Sequence, residues 1–154
     1  MTRTRRRPAW FDHFPTRLRF ERQACAAYPK LSSAGEGRGE VTYEVTVSIP
    51  EYEDRSIELV FFRSTPSPQL VRIYADGPAN SFHRYAPRER DRRERSSLCV
   101  WHPDDPIDLR WVPEDGLLSL IEATRFHLFR EAYSRETGGW PGEEAPHPAP
   151  GLKP

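Results

Sequence analysis

The sequence predicts an α+β fold, in which a short helix precedes an antiparallel sheet and a longer helix follows it. Three observations carry this prediction. Apolar and polar residues alternate over 41–49, two apolar runs typical of strands follow at 57–62 and 70–75, and apolar residues recur at helical spacing over 115–137. Because the links between successive strands are short, we expect an antiparallel meander of three or four strands.

The first helix is expected from about Thr16 to Tyr28, because Leu18, Cys25 and Tyr28 recur at helical spacing. Pro29 disfavours helical geometry at the residue before it, so the helix should end there. Cys25 lies between alanines on what looks like the apolar face. We therefore expect Cys25 to be a packed and unreactive thiol.

The second helix is expected to begin near Asp115, a residue type that often caps helix N-termini. Its end is predicted at Gly138, because glycine readily adopts the left-handed conformation of a helix C-cap. Between the two helices, residues 32–39 are rich in serine and glycine and predict a loop. The residues expected on the buried face of the second helix are Leu118, Ile121, Leu128, Phe129 and Ala132.

The chain divides into three predicted parts. Residues 1–15 are a basic and aromatic arm, residues 16–139 form one folded domain, and residues 140–154 are a proline-rich tail. Trp140 is too large and apolar for a simple linker, so the first part of this tail should pack near the functional site.

Composition narrows the classes of function. The 154 residues suffice for one domain, and the formal net charge of zero argues against a dedicated nucleic-acid-binding protein. Two cysteines far apart do not form a disulfide framework. We recognise neither a secretory signal nor an apolar stretch of membrane-spanning length, so we expect a cytoplasmic protein that does not act at a membrane.

Cys99 is the strongest candidate for a functional residue. It lies between apolar residues, four positions after the end of the charged run of residues 88–95. A thiol at such a junction can be partly exposed on a rigid backbone, and the arginines just upstream would favour the reactive thiolate. Histidines that could assist it by proton transfer are His83, His102 and His147.

Three chemistries fit a cysteine in this position. Cys99 could be a nucleophile that forms a covalent intermediate, a metal ligand together with His83 and His102, or half of a Cys–His hydrolase with His147 or His83 as base. A structural zinc site usually includes a close pair of cysteines, which is missing, so we expect no metal. Because no phosphate-binding or dinucleotide-binding glycine motif is present, we also expect no cofactor.

The order of elements and the motifs around Cys99 resemble those of ubiquitin-conjugating enzymes. In that family the active-site cysteine has a similar setting, here Leu98-Cys99-Val100, and a tryptophan and a proline follow before a helix, here Trp111-Val112-Pro113. Two further segments resemble the bacterial branch of the fold, namely His83-Arg84-Tyr85 and the tail segment 140–147. The resemblance covers roughly residues 14–148. The chain departs from eukaryotic members in one respect, since Asn80 precedes His83 where their asparagine follows the histidine.

The resemblance implies that Cys99 forms a thioester with a protein C-terminus and passes the acyl group to an amine. The C-terminus would belong to a ubiquitin-like protein or to a cyclic-oligonucleotide synthase encoded in a CBASS-type antiphage operon. A separate activating enzyme and a second copy of the chain are further candidate partners, and the sequence decides neither. The residues implied to assist the thiol are His83 and His147, and those implied to contact the substrate are Trp101, His102, Trp111 and Trp140. Two alternatives remain, an inactive binding module of the same fold and a Cys–His hydrolase.

Overall fold

In a computed structural model, the residues described are 8–35, 39–63, 71–78, 81, 83–85, 96–101 and 105–142. Within these ranges, two α-helices and a four-stranded antiparallel sheet form the regular structure, so the predicted α+β class is confirmed. Helix α1 spans Phe14–Ala27, and helix α2 spans Gly116–Thr137. The strands, in their order across the sheet, are β1 (Ser32–Ala34), β2 (Glu40–Val47), β3 (Arg55–Phe62) and β4 (Val71–Ala75).

The alternation predicted between residues 41 and 49 builds the apolar face of the sheet. Val41 lies opposite Phe61 and Tyr43 lies opposite Leu59, which in turn lies opposite Ile73. Because side chains alternate across a strand, these residues share one face, and all of them are buried. Both helices contribute side chains to the same core, which confirms the predicted meander and its inward face.

Strand β1 corrects the prediction that residues 32–39 form a loop. Ser32–Ala34 pair with β2 in an antiparallel arrangement, with Ser33 opposite Tyr43. The three residues of β1 are exposed, and their sequence shows no alternation of apolar and polar side chains that would predict a strand. It forms because backbone groups at the edge of β2 offer hydrogen bonds to any extended segment that reaches them.

Helix α1 ends at Ala27, as the proline after Tyr28 predicted, but it buries a different face from the one expected. Leu18 is 45% exposed and Cys25 is also exposed, so the prediction of a packed Cys25 is wrong. The buried residues are Phe20 and Ala24. The Phe20 ring packs edge-to-face on other aromatic rings of the core. Burying this large aromatic surface determines which face of the helix is directed toward the core.

Helix α2 has the predicted bounds, and Gly138 takes the left-handed conformation at its end with φ 80°. Ile121, Leu128 and Ala132 are buried as expected, whereas Leu118 and Phe129 are only partly buried. The same stripe also buries polar side chains. Those polar residues are Thr124, His127 and Glu131. In the described part of the chain, no helix has the length and apolar character needed to cross a membrane.

The described end of the expected N-terminal arm packs against the domain. Ala9 and Phe11 are buried, and the Trp10 ring lies 4.6 Å from the Phe20 ring between centroids. Asp12 forms an ion pair with Arg63, which follows β3. Residues 8–13 are therefore part of the folded body.

Candidate active site

The segment that carries Cys99 is hydrogen-bonded on both sides. On one side, the N–H of Leu98 donates to the carbonyl of Ile73 in β4, at 2.8 Å. On the other side, the N–H of Cys99 donates to the carbonyl of His83, also at 2.8 Å. Leu98 and Arg84 form an antiparallel bridge. The residues around Cys99 thus lie between the edge of the sheet and a second extended segment, which holds the backbone of the cysteine in place.

The sulfur of Cys99 has two described polar neighbours. Its Sγ lies 3.3 Å from the phenol oxygen of Tyr85 and 3.5 Å from the carbonyl oxygen of Trp101. The N–H of Tyr85 donates to the carbonyl of Ser97 at 2.8 Å, so the tyrosine backbone is fixed to the same segment that carries the cysteine. The motif His83-Arg84-Tyr85 does not by itself predict the contact between the Tyr85 hydroxyl and the thiol.

The thiol of Cys99 is less accessible and less acidic than expected. The residue is only 9% exposed, and burial raises the pKa of its thiol above the ordinary value. The hydrogen bond with Tyr85 lowers this pKa, whereas the charge of Asp105 raises it further. The arginines expected to favour the thiolate, in residues 88–95, lie outside the described residues.

The accessibility of the two thiols is therefore the reverse of the prediction. Cys25 is exposed on α1, whereas Cys99 is buried, with its sulfur in contact with the phenol of Tyr85. The prediction is wrong because it places Cys25 on the buried face of α1, whereas that helix buries Phe20 and Ala24 instead. The segment of Cys99 is paired with the backbone of Ile73 through Leu98 and with that of His83 through Cys99 itself.

His83 contacts Cys99 through its backbone, and its ring packs with other side chains. The imidazole stacks on the indole of Trp140, with 3.6 Å between ring centroids and an angle of 27°. The ring of His127, on α2, lies 6.0 Å from the His83 ring. His83 therefore contacts two other predicted site residues, Cys99 through its backbone and Trp140 through its ring, and His127, which was not predicted, lies beside both aromatic rings.

A buried ion pair anchors the segment next to His83. The guanidinium of Arg84 donates to both carboxylate oxygens of Glu131 in α2, at distances of 2.9 to 3.3 Å. The side chains are only 4% and 0% exposed. Sequence analysis missed this pair, although a glutamate at position 131 on the apolar stripe of α2 indicates that a buried cation must be near.

His127 is neutral in this environment. Burial is the main cause that lowers its pKa to about 3, and the charges of His83, Arg84 and Arg130 add to the effect. The Nε2 of His127 lies 3.7 Å from a carboxylate oxygen of Glu131. This carboxylate already bonds Arg84 through both oxygens, so it offsets little of the cost of burying a charged imidazole.

The tryptophans predicted to contact substrate occupy different environments. Trp111 is buried in the core, where its indole N–H donates to the carbonyl of Gly116 at 2.9 Å. Trp101 is partly buried, with its ring centroid 6.0 Å from that of Trp111. The remaining predicted site residues, His102 and His147, lie outside the described residues.

Across the described ranges, no group of three or more His, Cys, Asp or Glu side chains is arranged to hold a metal ion. No protein-family model matches the chain, and no curated protein matches its sequence.

Proposed function

We propose that this protein is an acyltransferase similar to ubiquitin-conjugating enzymes, and that Cys99 carries the acyl group as a thioester. The observation that carries the proposal is the setting of Cys99. Its backbone is fixed between β4 and residues 83–85, and its sulfur lies 3.3 Å from a phenol. The order of a helix, an antiparallel meander and a second helix supports the proposal because it is the order expected for that fold.

The reaction has two steps. The Cys99 thiolate attacks the carbonyl carbon of an activated protein C-terminus, a C–S bond forms, and the activating group leaves as a thiolate or as a nucleotide phosphate. A primary amine then attacks the thioester, a C–N bond forms, and the cysteine sulfur departs. The amine loses a proton to a base, for which His83 and His147 are the proposed residues.

The proposed partners follow from the bacterial resemblance. The acyl donor is the C-terminus of either a ubiquitin-like protein or a cyclic-oligonucleotide synthase, and the proposed setting is antiphage defence. Support comes from the contact between His83 and Trp140, since these residues belong to the two segments that carry this resemblance. These segments, far apart in sequence, meet beside the Cys99 segment.

The test is to trap the covalent partner. A tagged Cys99→Ser variant should hold the acyl group as an oxygen ester, which is more stable than a thioester. Purified from cells that naturally express the protein, it should carry a conjugate that Cys99→Ala lacks, and Cys25→Ser should behave as wild type. Equal recovery of conjugates from Cys99→Ser and Cys99→Ala would contradict the proposal.

A second candidate is an inactive binding module of the same fold. It is favoured by the burial of Cys99 and by the upward shift of its pKa, both of which reduce thiolate at neutral pH. If the protein is a binding module, no variant should carry a covalent conjugate. The Cys99→Ala variant should then still bind its partner noncovalently.

A further inference from the structure

We propose that Tyr85 is a catalytic residue of this site, whose phenol donates a hydrogen bond to the Cys99 sulfur whenever that sulfur carries negative charge. As a role in acyl transfer, this proposal rests on the proposed function. As a statement about the thiol, it rests on the contact between the phenol and the sulfur and on the charges around them.

The direction of the hydrogen bond follows from chemistry. At 3.3 Å, a neutral thiol can donate to the phenol oxygen of Tyr85 or accept from it. A thiolate has no proton, so in the reactive state only the phenol O–H can be the donor. The other described neighbour of the sulfur is the carbonyl oxygen of Trp101, which can only accept.

The remaining described surroundings disfavour the thiolate, which makes this donor important. Cys99 is buried, and the carboxylate of Asp105 adds an unfavourable negative charge. The phenol of Tyr85 is the group that opposes both effects in the described part of the site. A hydrogen bond to a charged atom in such an enclosed place is stronger than one to a neutral atom.

Two features hold the phenol where it can act. The backbone of Tyr85 is bonded to Ser97, two residues before the cysteine, so both partners sit on paired segments. The neighbouring Arg84 is fixed to α2 by its buried ion pair with Glu131. This ion pair therefore ties the segment of Tyr85 to α2.

The role of Tyr85 requires no net proton transfer. When the thiolate attacks a carbonyl, its charge moves to the leaving group, and the bond from the phenol to sulfur weakens. When an amine later displaces the sulfur, negative charge returns to Sγ and the bond strengthens again. The proton stays on the phenol oxygen throughout, so Tyr85 would stabilise the sulfur both as nucleophile and as leaving group.

The test measures how fast iodoacetamide alkylates Cys99 between pH 6 and pH 10, in a Cys25→Ser background that removes the exposed thiol. We expect Tyr85→Phe to move the midpoint of the rate–pH profile to higher pH and to slow alkylation at pH 7 about tenfold, the loss expected for one hydrogen bond to a charged group. The matched control is Tyr52→Phe, which removes a hydroxyl bonded to Glu136 instead. An unchanged midpoint in Tyr85→Phe, or an equal shift in Tyr52→Phe, would overturn the proposal.

A second measurement remains decisive if Tyr85→Phe fails to fold. Coupling between the two groups is reciprocal, so the Cys99 thiolate must in turn disfavour ionisation of the phenol. In protein labelled with ¹³C at tyrosine Cζ, one tyrosine resonance should titrate at lower pH in Cys99→Ala than in the parent protein. Identical tyrosine titrations would overturn the proposal. A shifted thiol profile without any acyl adduct on Cys99 would refute the proposed function and leave the role of Tyr85 standing.

Discussion

Replacing Glu131 by glutamine should destabilise the domain more than most single substitutions. The carboxylate has no exposed surface, and it accepts three hydrogen bonds from a guanidinium that is only 4% exposed. Glutamine keeps the shape of the side chain and one acceptor oxygen but removes the negative charge, so the Arg84 cation stays buried without the opposite charge of Glu131. Removing one partner of a buried pair costs about 3–5 kcal/mol, a large fraction of a total stability of about 5–15 kcal/mol.

Urea denaturation followed by circular dichroism would measure this loss. The matched control is Glu53→Gln, whose side chain is 89% exposed and whose ion pair with Arg55 should contribute less than about 1 kcal/mol. Replacing both charges by apolar residues, as in Arg84→Met with Glu131→Leu, should restore much of the stability. Two results would contradict an uncompensated buried charge in Glu131→Gln. One is a loss of unfolding free energy no larger than that of Glu53→Gln, and the other is a double variant no more stable than Glu131→Gln.

Three further predictions follow from the described contacts. First, the pKa of His127 is about 3 in the folded protein against an ordinary 6.5, so the unfolded chain binds an extra proton between these values and stability falls as pH falls. Between pH 7 and pH 5 the free energy of unfolding measured by urea titration should fall by about 2 kcal/mol. His127→Leu should weaken this pH dependence. An equally steep dependence in that variant would contradict a neutral buried histidine. Second, Gly116→Ala should cost about 1–3 kcal/mol, because φ 83° and ψ 171° suit glycine alone; Gly139→Ala, with open space and no positive φ, should be nearly neutral. Equal free energies of unfolding for these two variants would contradict backbone strain at position 116. Third, iodoacetamide should label exposed Cys25 before Cys99 in the native protein, and peptide mapping that finds the opposite order would contradict the burial of Cys99.

The sheet and α2 could be predicted because their periodicity reflects burial. Alternation over β2 and helical spacing over α2 each place apolar residues on one face, and tertiary packing follows that pattern. Helix α1 was found, but its buried face was not. Its apolar residues are few, and the Phe20 ring packs on residues that are distant in sequence.

The site could be predicted only as a set of residue types. Motifs identify Cys99, His83 and Trp140, and in the structure His83 contacts each of the other two. The contact of Tyr85 with the sulfur and the pair of Arg84 with Glu131 depend on where two segments are held by backbone pairing. No local pattern encodes such a distance. The burial of Cys99 was missed for the same reason.

The most direct measurement of whether Cys99 carries an acyl group is mass spectrometry of the wild-type protein, isolated under acidic, non-reducing conditions from cells that naturally express it. We expect a covalent adduct that maps to the peptide containing Cys99 and is released by hydroxylamine, as a thioester would be. Cys25→Ser should retain this adduct and Cys99→Ala should lose it. An adduct that persists in Cys99→Ala, or one that resists hydroxylamine, would contradict a thioester on Cys99.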